Sequence, residues 1–159
     1  MDFLDASGDC DIDDDKLQFL DILSLDASNN PKITNISHLK NLKYLNASGN
    51  CGITNKSLSR LNLETLDAHD NYKIYDVNHM SNLKSLIARG VSGLDNKGIR
   101  NLDLEYLDVK GNIKIDYVKN MKNLKTYIPC GDIEIKVFGH SYNIFRLYES
   151  GMTGLAYAN

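Results

Sequence analysis

Apolar residues recur along this chain in one frame that is about twenty residues long. The clearest copies begin at Leu42, Leu63 and Leu104 and share the pattern Leu-x-x-Leu-x-(Ala/Val)-x-x-Asn. Looser copies complete the series, whose first positions are Met1, Ile22, Leu42, Leu63, Leu83, Leu104 and Leu124. Successive copies therefore start 21 or 20 residues apart in strict alternation. Fixed self-similarity at such a period predicts a solenoid, in which each coil packs only on its neighbours.

Around the fourth position of each copy, apolar and polar residues alternate with the period of two that is typical of a strand. We expect strands centred on Leu4, Leu25, Leu45, Leu66, Leu86, Leu107 and Tyr127. Because all copies run in the same direction, these strands must form a parallel sheet. The fourth and sixth positions then point into the coil. The sixth position is small, which predicts a thin interior: Ala6, Ala27, Ala47, Ala68, Ala88 and Val109.

The frame L-x-x-L-x-L-x-x-N at this period resembles that of the leucine-rich repeat proteins. The resemblance implies an α/β solenoid, a right-handed superhelix with a parallel sheet on its concave side and short 3₁₀ or helical segments on its convex side. It covers most of the chain. We divide the sequence into a solenoid of about seven coils over residues 1–135 and an aromatic-rich C-terminal cap over residues 136–159.

The ninth position of the frame is mostly polar: Asp9, Asn30, Asn50, Asn71, Val91, Asn112 and Asp132. In leucine-rich repeats this asparagine turns inward and bonds to the backbone of neighbouring coils. Buried backbone groups need such partners where the chain bends. We therefore predict a structural role for this column, and a looser or bulged loop at Val91, which cannot supply the hydrogen bonds.

The segments behind the strands follow two designs that match the two coil lengths. In 20-residue coils apolar residues fall at every third position, as in Ile33, Ile36 and Leu39, which predicts a 3₁₀-like or extended segment. In 21-residue coils a gap precedes an i, i+3 pair, which predicts one helical turn. One such stretch, CGITNKSLSRL from Cys51, resembles the cysteine-containing class of leucine-rich repeats. That class includes substrate-recognition subunits of ubiquitin ligases, although here the coils are shorter and Asn55 replaces the usual Asp.

Composition narrows the classes of partner. The formal net charge of −3 is small and of the wrong sign for nucleic acid as a default partner. No apolar run is long enough to span a membrane, and the acidic start differs from a secretory signal. Cys10 and Cys51 should lie about 10 Å apart, too far for a disulfide. We therefore expect a cytoplasmic protein. The chain is rich in Asn, Lys, Ile, Asp and Tyr, and in this it resembles proteins encoded by AT-rich genomes, such as those of giant DNA viruses. For a viral protein the expected compartment is the cytoplasm of the host cell.

The third, fifth and seventh positions should point outward on the concave face, where we expect a protein partner to bind. The predicted contact residues are Tyr44, Asn46, Thr65, Asp67, His69, Arg89, Tyr106, Asp108 and Lys110. Tyr44, Tyr106 and Arg89 are the expected anchors, since Tyr and Arg dominate interface energetics. The alternative is a solvated face on which Asp67 pairs with His69 or Arg89, and Asp108 pairs with Lys110.

The sequence carries no pattern that predicts catalysis, a metal or a cofactor. Asp9, Asp11 and Asp13 have the spacing that begins a calcium loop, but Asp14 stands where a glycine is needed and Leu20 where a glutamate is needed. We therefore predict a non-enzymatic module that binds another protein. Two alternatives remain: a structural protein that self-associates through its uncapped N-terminal edge, and the substrate-recognition part of a ubiquitin-ligase-type complex.

Overall fold

The computed structural model describes residues 2–131 and the backbone of residues 135 and 136. These described residues include two short helices, α1 (Asp14–Leu17) and α2 (Asn55–Leu58). The strands are β1 (Phe3–Asp5), β2 (Ser24–Asp26), β3 (Tyr44–Asn46), β4 (Thr65–Asp67), β5 (Ser85–Ile87), β6 (Tyr106–Asp108), β7 (Thr126–Ile128) and β8 (Ile135–Lys136).

All eight strands belong to one sheet in sequence order. Strands β1 to β7 are parallel, and residues at the same frame position are paired throughout, as Leu25 is with Leu45. The predicted solenoid and all seven predicted strand centres are thereby confirmed. Strand β8 pairs with β7 in the antiparallel direction. Apart from the backbone of Lys136, the predicted cap over residues 136–159 lies outside the described residues.

The core is one continuous column of apolar side chains inside the coils. The fourth and sixth positions of the frame are buried from the second coil to the sixth, as predicted, and Ala6 is buried in the first. The apolar residues of the segments behind the strands close the column from the other side, and most of them are fully buried. Each coil buries its apolar face only against its neighbours, so the stack holds together by coil-to-coil contacts.

The helical turn predicted for the 21-residue coils forms in the first and third coils. Asp13 caps α1 by accepting a hydrogen bond from the Lys16 amide (3.1 Å), and the Ser57 hydroxyl accepts one from the Thr54 amide (3.0 Å) at the start of α2. The prediction is wrong for the fifth coil, in which residues 96–101 form only turns. That coil has Gly98 where a helix former would be needed, and a side chain there would collide with the Tyr75 carbonyl.

The inward asparagine is confirmed in the 20-residue coils. Asn71 is fully buried, and its Nδ2 donates to the carbonyls of Ala47 (2.7 Å) and Ile53 (3.3 Å) in the preceding coil. Its Oδ1 accepts from the Lys73 amide (3.0 Å). Asn30 and Asn112 make the equivalent bonds to the coils before them. This side chain therefore ties each 20-residue coil to its predecessor.

In the 21-residue coils the prediction for the ninth position is wrong. Asp9, Asn50 and Val91 are exposed at this position. The inward place is taken by the tenth residue, which is Cys51 in the third coil and Ser92 in the fifth, both fully buried. The extra residue lengthens an outward turn that begins at a glycine with positive φ, such as Gly49. Val91 is thus equivalent to Asp9 and Asn50 and introduces no separate bulge.

The structural unit is consequently a pair of coils, one of 21 and one of 20 residues. A second side-chain clamp runs in the opposite direction within each pair. Asn55 Oδ1 accepts from the amides of Tyr75 (2.6 Å) and Asp76 (3.1 Å) in the following coil. Asp14 and Asn96 do the same in the first and third pairs. Each pair is therefore held by hydrogen bonds that point both forward and backward along the stack.

Candidate functional site

The outer sheet face is formed by side chains at the third, fifth and seventh positions of the frame. Register pairing places Tyr44 beside Thr65, and Asn46 beside Asp67, on neighbouring strands. Tyr106 and Asp108 follow on β6. The predicted contact residues therefore lie on, or directly after, the four strands β3 to β6. Most of them are half-buried or exposed, and Tyr44 and Arg89 are the exposed anchors.

The acidic fifth column has a structural role that the sequence analysis missed. Each carboxylate or amide oxygen accepts a hydrogen bond from the backbone amide two residues later, where the strand turns away. The Asp67 bond to the His69 amide is 2.9 Å long, and the Asn46 bond to the Ser48 amide is 3.1 Å long. Asp5, Asp26 and Asp108 repeat it. Asp or Asn at the last strand position was the available signal, since these residues favour such turns.

Arg89, Tyr106 and Asp108 form a cluster in the middle of this face. Arg89 Nε donates to Asp108 Oδ2 over 2.7 Å, and its Nη2 bonds to the same oxygen. The Tyr106 hydroxyl donates to that oxygen as well, over 3.4 Å. The Asp108 side chain is 0% exposed, so its carboxylate is covered by these two residues. Burial raises the pKa of Tyr106, and the Asp108 charge raises it further.

This cluster corrects two predictions. Asp108 is buried, so it cannot be one of the residues that contact a partner. The sequence predicts Asp67 or no partner for Arg89, whereas Arg89 binds Asp108 of the next coil. Lys110 provides its backbone amide to Asp108 Oδ1 over 3.1 Å. Asp108 thus serves as a support that fixes the direction of the Arg89 guanidinium.

Asp67 and His69 form the neighbouring part of the face. His69 Nδ1 lies 3.7 Å from Asp67 Oδ1, and His69 Nε2 lies 3.4 Å from Asp70 Oδ2. The predicted proximity of Asp67 and His69 is therefore confirmed. Burial raises the pKa of Asp67, and the hydrogen bond from the His69 amide opposes this shift. The imidazole remains half-exposed between the two carboxylates.

A ladder of opposite charges borders the outer sheet face at the second position of the frame. Lys43 Nζ lies 2.7 Å from Glu64, and Lys125 Nζ lies 2.6 Å from Glu105. Lys84 lies 4.0 Å from Glu105 on the other side. The alternation of Lys and Glu at this position was a signal in the sequence. Such exposed pairs contribute little stability each, but they define a charged border beside the face.

Three residues of the N-terminal acidic run make structural contacts. Asp9 forms an ion pair with Lys32 (2.9 Å), Asp13 caps α1, and Asp14 binds the amides of Thr34 and Asn35. No group of three or more His, Cys, Asp or Glu that could hold a metal ion occurs within the described residues. This arrangement supports packing of the first pair of coils.

The outer sheet face can therefore offer hydrogen bonds, a fixed guanidinium and a tyrosine ring.

The three cysteines are free thiols, and Cys51 is buried with its pKa raised by burial. In the part of the chain that the structure describes, neither helix is long and apolar enough to cross a membrane. No protein-family model matches this chain, and no curated protein or solved structure matches it either.

Proposed function

We propose that this chain is a leucine-rich repeat protein that binds another protein through its outer sheet face and has no catalytic activity of its own. The family assignment is supported by the repeat frame together with the inward Asn30, Asn71 and Asn112. The binding role is supported by one observation above all: Arg89 is held in place from below by the buried Asp108 while its outer side remains open to a partner. A pre-oriented Arg loses little entropy on binding, which favours affinity. Three free thiols support a reducing, cytoplasmic setting.

The chain provides its own substitutions for a test. Tyr44→Ser and His69→Ser place on the outer sheet face the residues that occur naturally at equivalent positions, such as Ser24 and Ser28. A variant with both changes should therefore fold, and it should lose a partner captured by the immobilised chain. The matched control carries Tyr75→Ala and Tyr117→Ala, two exposed residues outside this face. Loss of the partner with the control, and retention with the face variant, would refute the proposal.

A second candidate, self-association through β1, has a specific observation in its favour. Strand β1 is the edge of the described sheet, and its first residue, Phe3, is exposed. Charge opposes the pairing of two like copies, because residues 1–21 contain eight Asp and one Lys. Light scattering at low and high salt separates the candidates: dimers that grow with protein concentration and with salt support assembly, and a monomer under all conditions supports the binding module. A recognition role in a ubiquitin-ligase-type complex is one form of the first candidate.

A further inference from the structure

Three large apolar side chains project into solvent at the edge where the strands end. We call them the rim patch: Tyr72 is 70% exposed, Val91 is 70% exposed and Ile113 is 82% exposed. They belong to the fourth, fifth and sixth coils, so they lie on three successive turns of the stack. Exposed apolar groups that cluster in this way mark interaction surfaces, whereas scattered ones do not.

Hydrogen bonds place the three turns that carry the rim patch side by side. The Val91 amide donates to Asp70 Oδ1 (2.9 Å), two residues before Tyr72, and the Gly93 amide donates to the Asn71 carbonyl (3.1 Å). On the other side, the Gly90 amide donates to the Lys110 carbonyl (2.9 Å), which places the Val91 turn beside the turn that carries Ile113. Tyr72 and Ile113 are therefore two rungs, or about 10 Å, apart. A side chain at Gly93 would collide with the Tyr72 carbonyl, so the backbones of the fourth and fifth coils are closely packed beneath the rim patch.

The first three coils show that the fold does not need these apolar residues. Their rim carries Asp9, Pro31 and Asn50 at the equivalent positions. The contrast between Val91 and Asn50 is the clearest, because both follow a glycine with positive φ and both are exposed. Stability of the turn therefore does not explain Val91.

The first three coils and the fourth to sixth coils also differ in the charge of their rim. From the seventh to the eleventh position, the fourth to sixth coils carry Lys73, Arg89, Lys110 and Lys114 against Asp70, a formal charge of +3. The same positions of the first three coils carry Asp9 and Asp11 against Lys32, a formal charge of −1. Lys73 Nζ lies 5.8 Å from the Tyr72 ring centre and donates to the Cys51 carbonyl (2.8 Å). Lys114 is anchored in the same way to the Ser92 carbonyl.

We infer that the rim patch and its basic surroundings bind an acidic segment of a partner protein that also carries apolar side chains. The apolar residues of the segment would cover Tyr72, Val91 and Ile113, and its carboxylates would meet the lysines and Arg89. Charge complementarity favours such a partner and disfavours a basic one. This inference rests on the proposed protein-binding function and adds to it the chemistry of the partner and a second contact surface beside the outer sheet face.

Short synthetic peptides provide a direct test with the full chain. The first alternates Glu with Leu and Phe, the second has Lys in place of Glu, and the third keeps Glu but has Ser in place of the apolar residues. We expect the first peptide to shift the methyl NMR signals of Val91 and Ile113, and to bind at least about tenfold more tightly than the other two. Equal binding of the second or third peptide, or shifts elsewhere on the chain, would overturn the inference.

Variants complete the test. Val91→Asn copies Asn50, and together with Ile113→Ser it should weaken binding of the first peptide about tenfold or more. The matched control, Asn50→Ala, changes the equivalent exposed position of the third coil without adding a large apolar side chain beside Tyr72, and it should leave binding unchanged. Vesicles containing phosphatidylserine should not bind; if they bind and the acidic peptide does not, the patch contacts a membrane and the inference is wrong. Should the peptides fail while Tyr44→Ser with His69→Ser still abolishes partner capture, only the rim inference falls and the proposed function stands.

Discussion

Replacing Asn71 by Ala tests the inward hydrogen bonds on which the stacking of the coils depends. The change removes three bonds made by one buried side chain: two from Nδ2 to the carbonyls of Ala47 and Ile53, and one to Oδ1 from the Lys73 amide. The carbonyls belong to the preceding coil, so the substitution weakens the contact between two coils as well as one turn.

The expected loss of stability follows from these contacts. A buried polar group that loses its partner costs about 1–3 kcal/mol. Two of the three bonds are buried and the third is partly buried, so we expect Asn71→Ala to reduce the free energy of unfolding by about 3–5 kcal/mol. That is a large share of the 5–15 kcal/mol, roughly, that stabilises an ordinary domain.

Urea unfolding followed by circular dichroism measures this difference. With a denaturant slope of about 2 kcal/mol per molar, the midpoint should fall by roughly 2 M. Asn50→Ala is the matched control, because Asn50 has the same frame position but an exposed side chain, and it should cost less than about 0.5 kcal/mol. Equal losses for the two variants would show that the inward asparagine does not hold the coils together.

Three further predictions follow from single side chains. Gly52→Ala should cost about 1–3 kcal/mol in the same unfolding assay, because the new Cβ would lie 2.5 Å from the Pro31 carbonyl. Gly131→Ala should be neutral, since none of the described residues lies within 4 Å of the new Cβ. Burial raises the pKa of Asp67, so this group stabilises the fold at low pH and loses that contribution as pH rises through its folded pKa. Asn at this position can keep the hydrogen bond of the turn, as Asn46 does. Asp67→Asn should therefore remove this pH dependence when stability is measured across the acid range. Burial also raises the pKa of Tyr127 from its ordinary 10.0 to about 12, so stability should fall between pH 10 and pH 12. Tyr127→Phe should abolish that part of the fall in an alkaline unfolding series.

The strands and the core could be predicted because the sequence repeats them faithfully. Alternation at a period of two defines which side chains face inward, and a register error would expose Leu45 or Leu66. The nearly constant spacing then fixes the pairing of each strand with the next. The outer sheet face followed from the same reasoning, so the positions of Tyr44, Thr65 and His69 were correct.

The loops and the hydrogen bonds of the face were less accessible to sequence analysis. Counting from the start of each copy assigned Asn50 and Asn71 to the same role, although the extra residue of the longer coil moves the inward position by one. The signal was a small residue at the tenth position of each longer coil, such as Cys51 or Ser92. The partner of Arg89 depends on the direction of a long flexible side chain across one coil, which periodicity does not determine.

The alternation of coil lengths has a consequence for how such a chain can grow or shrink. Excision of residues 42–82 would stack the coil that starts at Leu83 on the coil that starts at Ile22, and every clamp would meet an equivalent hydrogen-bond partner. Excision of residues 42–62 alone would place two shorter coils in contact, leaving Asn71 without the neighbouring carbonyls of a longer coil. Length variants that fold should therefore differ by whole multiples of 41 residues. A variant that loses or gains a single coil should fail to fold, because its backbone cannot make the hydrogen bonds between unlike coils.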